Sequence, residues 1–100
     1  MKRINLDIRG HVSYAGIERD LSVKDFIMEI IEKSGLRPSE FMRMSKLLGK
    51  METSEGEFEI EDQDWTIFWK LYSDIQIPVV YRQAIQIFEE VEHANNNPAG

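Results

Sequence analysis

The stretch SVKDFIMEIIEKSG, residues 22–35, is where the spacing of apolar residues switches from two to an alternation of three and four. Val23, Phe26, Ile27, Ile30 and Ile31 fall on one helical face, with Lys24, Asp25, Glu29, Glu32 and Lys33 opposite. Ser22 is a good N-cap, and Asp25 stands where a capping-box side chain reaches back to the cap backbone. Gly35 is expected to end this helix, because glycine takes φ > 0 without steric cost.

Upstream, Ile4 to Arg9 alternates apolar with polar, the period of a strand with one buried face. Val12 and Tyr14 resume the alternation, so the expectation is an N-terminal hairpin turning near Arg9 to His11. Downstream, Pro38 suits the first turn of a second helix, with Phe41, Met44, Leu48 and Met51 on one stripe and Leu47 beside it. Residues 52–64 hold seven acids and no base around the turn formers Ser54, Glu55 and Gly56. Within them Glu57 to Ile60 alternates, which gives a short third strand on the edge of the hairpin. Asp62 or Asp64 then caps a third helix that is apolar nearly all round and therefore central. A last helix is expected from about Pro78 to Glu92, with Val80, Ala84, Ile87, Phe88 and Val91 inward. The fold class is α+β and mainly helical: a hairpin packed on about four helices. Residues 1–94 are expected to form one compact domain, and residues 95–100, rich in Asn with Pro and Gly, a flexible C-terminal tail.

Composition narrows the function. With 100 residues, 42% of them apolar and 30% charged, the chain has enough to close one core and cover it. Twelve Lys and Arg against 18 Asp and Glu give a net charge of −6, which opposes general binding to a phosphate backbone. Without Cys there is no disulfide framework, thiolate metal site or cysteine nucleophile, a pattern suited to a reducing cytoplasm. No apolar run approaches the roughly 20 residues that span a bilayer.

Catalytic material is sparse. His11 and His93 are the two imidazoles, one in an expected turn and one on a polar helix face, and two isolated histidines make no constellation. The acids Glu59, Glu61, Asp62 and Asp64 lack the spacing of a calcium loop, because Trp65, Phe68 and Trp69 occupy the stretch that should close it. No glycine-rich phosphate loop is present. The expectation is a protein without catalytic, cofactor or metal residues.

Binding features are clearer. Arg43, Lys46 and Lys50 form a basic stripe at spacings of three and four, suited to the acidic segment of the same molecule or of a neighbour. Trp65, Phe68, Trp69 and Tyr72 share one helical face, and Tyr81 follows near the last helix. Two Trp and five Phe are more than so small a domain need hide, so Trp65, Trp69, Tyr72 and Tyr81 are candidate partner-binding anchors. Glu57, Glu59 and Glu61, with Arg43, Lys46 and Lys50, are candidate charged contacts.

The order of these parts resembles that of short phage-encoded morphogenesis proteins of the tail assembly chaperone type. The likeness lies in the basic helix ending Arg43 to Met51, the segment Phe58 to Asp64 that opens an apolar helix, and Ile77 to Val80 opening the last one. It covers roughly residues 23–91, and the chain departs from it at Trp65 and Trp69, where smaller aliphatics are usual. The resemblance supplies no catalytic residue. It implies a protein-binding assembly factor in the host cytoplasm whose partner is a virion protein, a host protein or a second copy. The alternative is an acidic inhibitor that fills the nucleic-acid groove of a host defence protein with the carboxylates of residues 52–64.

Overall fold

The computed structural model describes residues 1–97 and shows a mainly helical α+β fold with two small antiparallel sheets. The elements run β1 (Lys2–Asn5), β2 (Arg9–Tyr14), β3 (Ile17–Ser22), α1 (Val23–Glu32), α2 (Pro38–Glu52), β4 (Glu57–Ile60) and α3 (Asp62–Asp74). A 3-10 helix (Val79–Ala84) then leads directly into α4 (Ile85–Asn96).

Local chemistry sets the helix starts. Ser22 Oγ accepts from the Asp25 N–H at 3.1 Å while Asp25 Oδ2 accepts from the Ser22 N–H at 3.3 Å, a complete capping box. The five apolar residues of the α1 stripe are all buried. Helix α1 stops earlier than expected, at Glu32, and Gly35 is not in the left-handed region. The Ser34 hydroxyl instead donates to the Ile30 carbonyl at 2.6 Å and ends the ladder. Helix α2 starts on Pro38 and buries Met44, Leu47 and Met51 but leaves Phe41 exposed. Helix α3 packs against both α1 and α2, which suits its broad apolar circumference. Its N-cap is Glu61 without a side-chain bond, and Asp62 and Asp64 lie inside the first turn, where their charge favours the helix dipole.

The strands depart from the sequence reading. Strand β1 ends at Asn5 and pairs with β4 (Lys2 opposite Ile60, Asn5 opposite Glu57), not with its neighbour in sequence. The hairpin is β2–β3, with Tyr14 opposite Ile17 across the two-residue turn Ala15–Gly16. Both turn residues have positive φ, 51° and 81°, the mirror-image turn whose twist matches paired strands. Gly10, read as a turn former, is a buried strand residue. It lies so close to the 3-10 helix that a Cβ there would come 3.0 Å from Ala84 Cα and closer still to Ala84 Cβ. The side chain of Gln83 reaches across from the 3-10 helix. Its Oε1 accepts from the Ser13 N–H and its Nε2 donates to the Ser13 carbonyl, both at 3.0 Å, while Gln86 Nε2 donates to the Arg9 carbonyl at 2.8 Å.

Helix α4 lies along β1: Glu90 Oε2 accepts from the Asn5 N–H at 2.8 Å, and Lys2 Nζ donates to the Asn95 carbonyl at 2.6 Å. It buries Ile87, Phe88, Val91 and Ala94 and continues to Asn96, two residues into the segment expected to be a tail; residues 98–100 lie outside the described residues. All the buried apolar side chains join one cluster, with Phe68 fully enclosed.

On the solvent face of the hairpin, His11 Nδ1 meets Asp20 Oδ1 at 2.5 Å and Nε2 lies 3.5 Å from Glu18 Oε1. The Asp20 hydrogen bond, helped by the charges of Asp20 and Glu18, raises the His11 pKa above the ordinary 6.5. The protonated imidazolium therefore steadies the hairpin below the unfolded-state pKa, and that contribution fades as pH rises through the folded one. An NMR titration of the His11 ring should give a midpoint above 6.5, and Asp20→Asn should move it down. An unmoved midpoint would remove Asp20 as the cause.

Candidate functional site

The sequence-derived aromatic candidates separate on folding. Trp65 is 3% exposed, its Nε1–H donates to Asn95 Oδ1 at 2.9 Å, and its ring lies 5.2 Å from Phe68 and 6.2 Å from Trp69. It is a core residue and does not reach a partner. The surplus of large apolar groups is absorbed there because the end of α4 closes over it. Trp69 and Tyr72 are half-buried with centroids 5.2 Å apart. Burial, then the neighbouring Glu92 carboxylate, raises the Tyr72 phenol pKa. Tyr81 is half-buried on the 3-10 helix, where its hydroxyl accepts from Arg19 Nη1 at 3.2 Å.

The charged candidates meet within the molecule. Arg43 Nε lies 2.7 Å from Asp64 Oδ1 and its Nη2 3.4 Å from Glu61 Oε2, so the basic stripe of α2 joins the acidic segment at the start of α3. Glu59 faces Arg3 across the β1–β4 ribbon at 3.8 Å. Glu57, Lys46 and Lys50 are exposed and have no ion-pair partner within 4.0 Å among the described residues. The exposed Arg3–Glu59 and Arg43–Glu61 pairs contribute little to stability, Arg43–Asp64 is partly buried, and all three cancel part of the field that an acidic inhibitor would need.

The sequence reading missed a set of apolar residues around the 3-10 helix. Ile77, Val79 and Ile85 are exposed, Val79 to 80%, and Pro78 stands between the first two. They border two adjoining hollows that share Ile77, Pro78, Tyr81 and Phe88 as walls. The first, about 310 Å³, is floored by Leu21, Phe26, Ile30 and Phe88 and closed on one side by Ile75 to Pro78. The second, about 330 Å³, adds Tyr72, Val79, Arg82 and Ile85. The available signal was the crowding of Ile75, Ile77, Val79 and Val80 on either side of Pro78, more apolar residues than a break between two helices ordinarily carries. Phe26 stands edge-on to Phe88 at 4.9 Å and to Tyr72 at 6.1 Å, which holds the floor rigid.

One rim is polar. Glu29, half-buried on α1, accepts from Lys33 Nζ at 2.6 Å and also binds the Arg19 guanidinium. The Lys33 bond first and Arg19 second hold the Glu29 carboxyl below its ordinary range, against the opposing effect of burial. The Glu29 bond in turn raises the Arg19 pKa.

Two further apolar pairs are exposed elsewhere: Tyr14 and Ile17 at the hairpin tip, and Phe41 and Met42 on α2. His11 binds Asp20 on the hairpin, and His93 faces Asn97 on α4. Among the described residues no three His, Cys, Asp or Glu side chains group so as to hold a metal ion, and no helix is long and apolar enough to cross a membrane. Comparison with protein-family models, with curated proteins and with solved structures returns no match for this chain.

Proposed function

We propose that this chain is a non-enzymatic protein-binding domain whose partner seats on the apolar ground around the 3-10 helix. The observation that carries this reading is the contiguity of Ile77, Pro78, Val79 and Ile85 beside two hollows with aromatic walls. Contiguous apolar surface of this kind costs free energy in water and marks contact sites in soluble proteins. Rigid aromatic pockets ringed by such residues are where interface energy concentrates. The resemblance to phage morphogenesis proteins adds the setting: assembly in the host cytoplasm, with a virion protein as the partner. Pairing of Glu59 and Glu61 with Arg3 and Arg43 weighs against the inhibitor alternative, since those carboxylates are already engaged.

The test compares two variants for binding to virion structural proteins made alongside the chain. Val79→Asp combined with Ile85→Asp changes side chains that are 80% and 52% exposed, so the fold should survive. Binding should weaken by about 30-fold or more, the scale of losing an interface anchor. Charge reversal of Glu57, Glu59 and Glu61 should change it less than about threefold. The opposite pattern would replace apolar docking with acidic mimicry.

A further inference from the structure

The ground around the 3-10 helix carries a charge opposite in sign to the rest of the chain. The walls of the two hollows hold Arg19, Lys33 and Arg82 against one carboxylate, Glu29, in a protein of net charge −6. Glu29 is already shared between Lys33 and Arg19, so one cation stays uncompensated at the mouth of the first hollow. Lys33 is also 74% exposed. The Tyr81 hydroxyl accepts from Arg19, and its own proton has no acceptor among the described residues. Glu92 sits beside the Tyr72 hydroxyl, which leaves the Arg19 and Lys33 side as the cationic end.

We infer that the first hollow takes a bulky apolar side chain of a partner protein that carries an aspartate or glutamate directly beside it, with the carboxylate meeting Lys33, Arg19 and the Tyr81 hydroxyl. The inference rests on the docking reading above and adds the chemistry of the partner. The floor of Leu21, Phe26, Ile30 and Phe88 removes the apolar group from water. The rim then chooses among apolar segments by charge, attracting an acidic neighbour and repelling a basic one. A chain that is acidic overall would otherwise repel an acidic partner, so this local reversal decides where such a partner lands.

The test uses three small probes that share an indole and differ in charge: N-acetyl-tryptophan, its neutral amide, and tryptamine. Each is titrated at low salt into the ¹⁵N-labelled protein. All three should shift the amide signals of Leu21, Ile77 and Tyr81. The acid should bind about threefold to fivefold tighter than the amide, the size of an exposed charge pair, and tryptamine weakest. Lys33→Glu, on an exposed side chain, should abolish the preference for the acid, and about 0.5 M salt should flatten it in the unaltered protein. Equal binding of acid and amide, or tighter binding of tryptamine, would overturn the acidic partner while leaving the docking surface standing. Absence of these shifts with all three probes would overturn both. A protein dimer that the acid probe dissociates would place a second copy in the hollow and overturn the foreign partner.

Discussion

Phe68→Ala should cost this domain about 3–5 kcal/mol, the range found when a fully enclosed aromatic ring is cut back to a methyl group. Phe68 is 0% exposed and sits between Trp65 at 5.2 Å and Tyr72 at 6.0 Å. Those rings are fixed by other contacts, Trp65 through its bond to Asn95 and Tyr72 through the edge of Phe26, so they cannot collapse into the space left behind. A domain of this length holds about 5–15 kcal/mol in total, and the change should lower its thermal midpoint by roughly 15–30 °C. Chemical denaturation gives the number directly. A loss below about 1 kcal/mol would mean that the centre of α3 is not enclosed as described.

Gly10→Ala should be the most damaging change of a single methyl group, costing about 1–3 kcal/mol through overpacking. The reason is space and not backbone conformation, because Gly10 is absent from the positive-φ residues while Gly16 and Gly56 are among them. An added Cβ would overlap the Ala84 methyl and come 3.3 Å from Ile87 Cδ1. Neither side can retreat freely, since Gln83 and Gln86 bind β2 to the helices that carry those residues. Ala84→Gly in the same chain should restore part of the loss, and the urea midpoints of the two single variants and the double variant measure that coupling. Additive losses would show that the two positions do not touch.

What was legible in the sequence was local. The Ser22 and Asp25 cap, the α1 stripe, the start of α2 on Pro38 and the alternation of Glu57 to Ile60 each depend on residues within one or two turns. The α+β, mainly helical class followed from them. Strand β3 was missed because the exposed, charged Arg19 stands between Ile17 and Leu21 and breaks the apolar alternation. The pairing of β1 with β4 joins positions more than fifty residues apart, which no local period encodes. The last helix was expected from Pro78, yet its first turns are wound as a 3-10 helix where Ala84 meets Gly10, a contact set by tertiary packing. For the site, side-chain type suggested apolar anchors but could not say which were sealed. Trp65 went inside, Tyr72 and Tyr81 reached the hollows, and of the exposed aliphatics beside them Ile77 lay in a connection that periodicity does not read, while Val79 and Ile85 open the 3-10 helix and α4.

The amide of Gln83 occupies both outward-facing backbone groups of Ser13, as the next strand of a sheet would. A second molecule arriving at β2 finds that rung already taken, and at β3 it meets the charges of Glu18 and Asp20. Each ribbon has only two strands, yet at Ser13 the edge of β2 is covered by a side chain that takes the place of a further strand. A single glutamine thus closes one rung of the ribbon beside the exposed apolar ground of Val79 and Ile85, so that the two surfaces do not merge into one open edge.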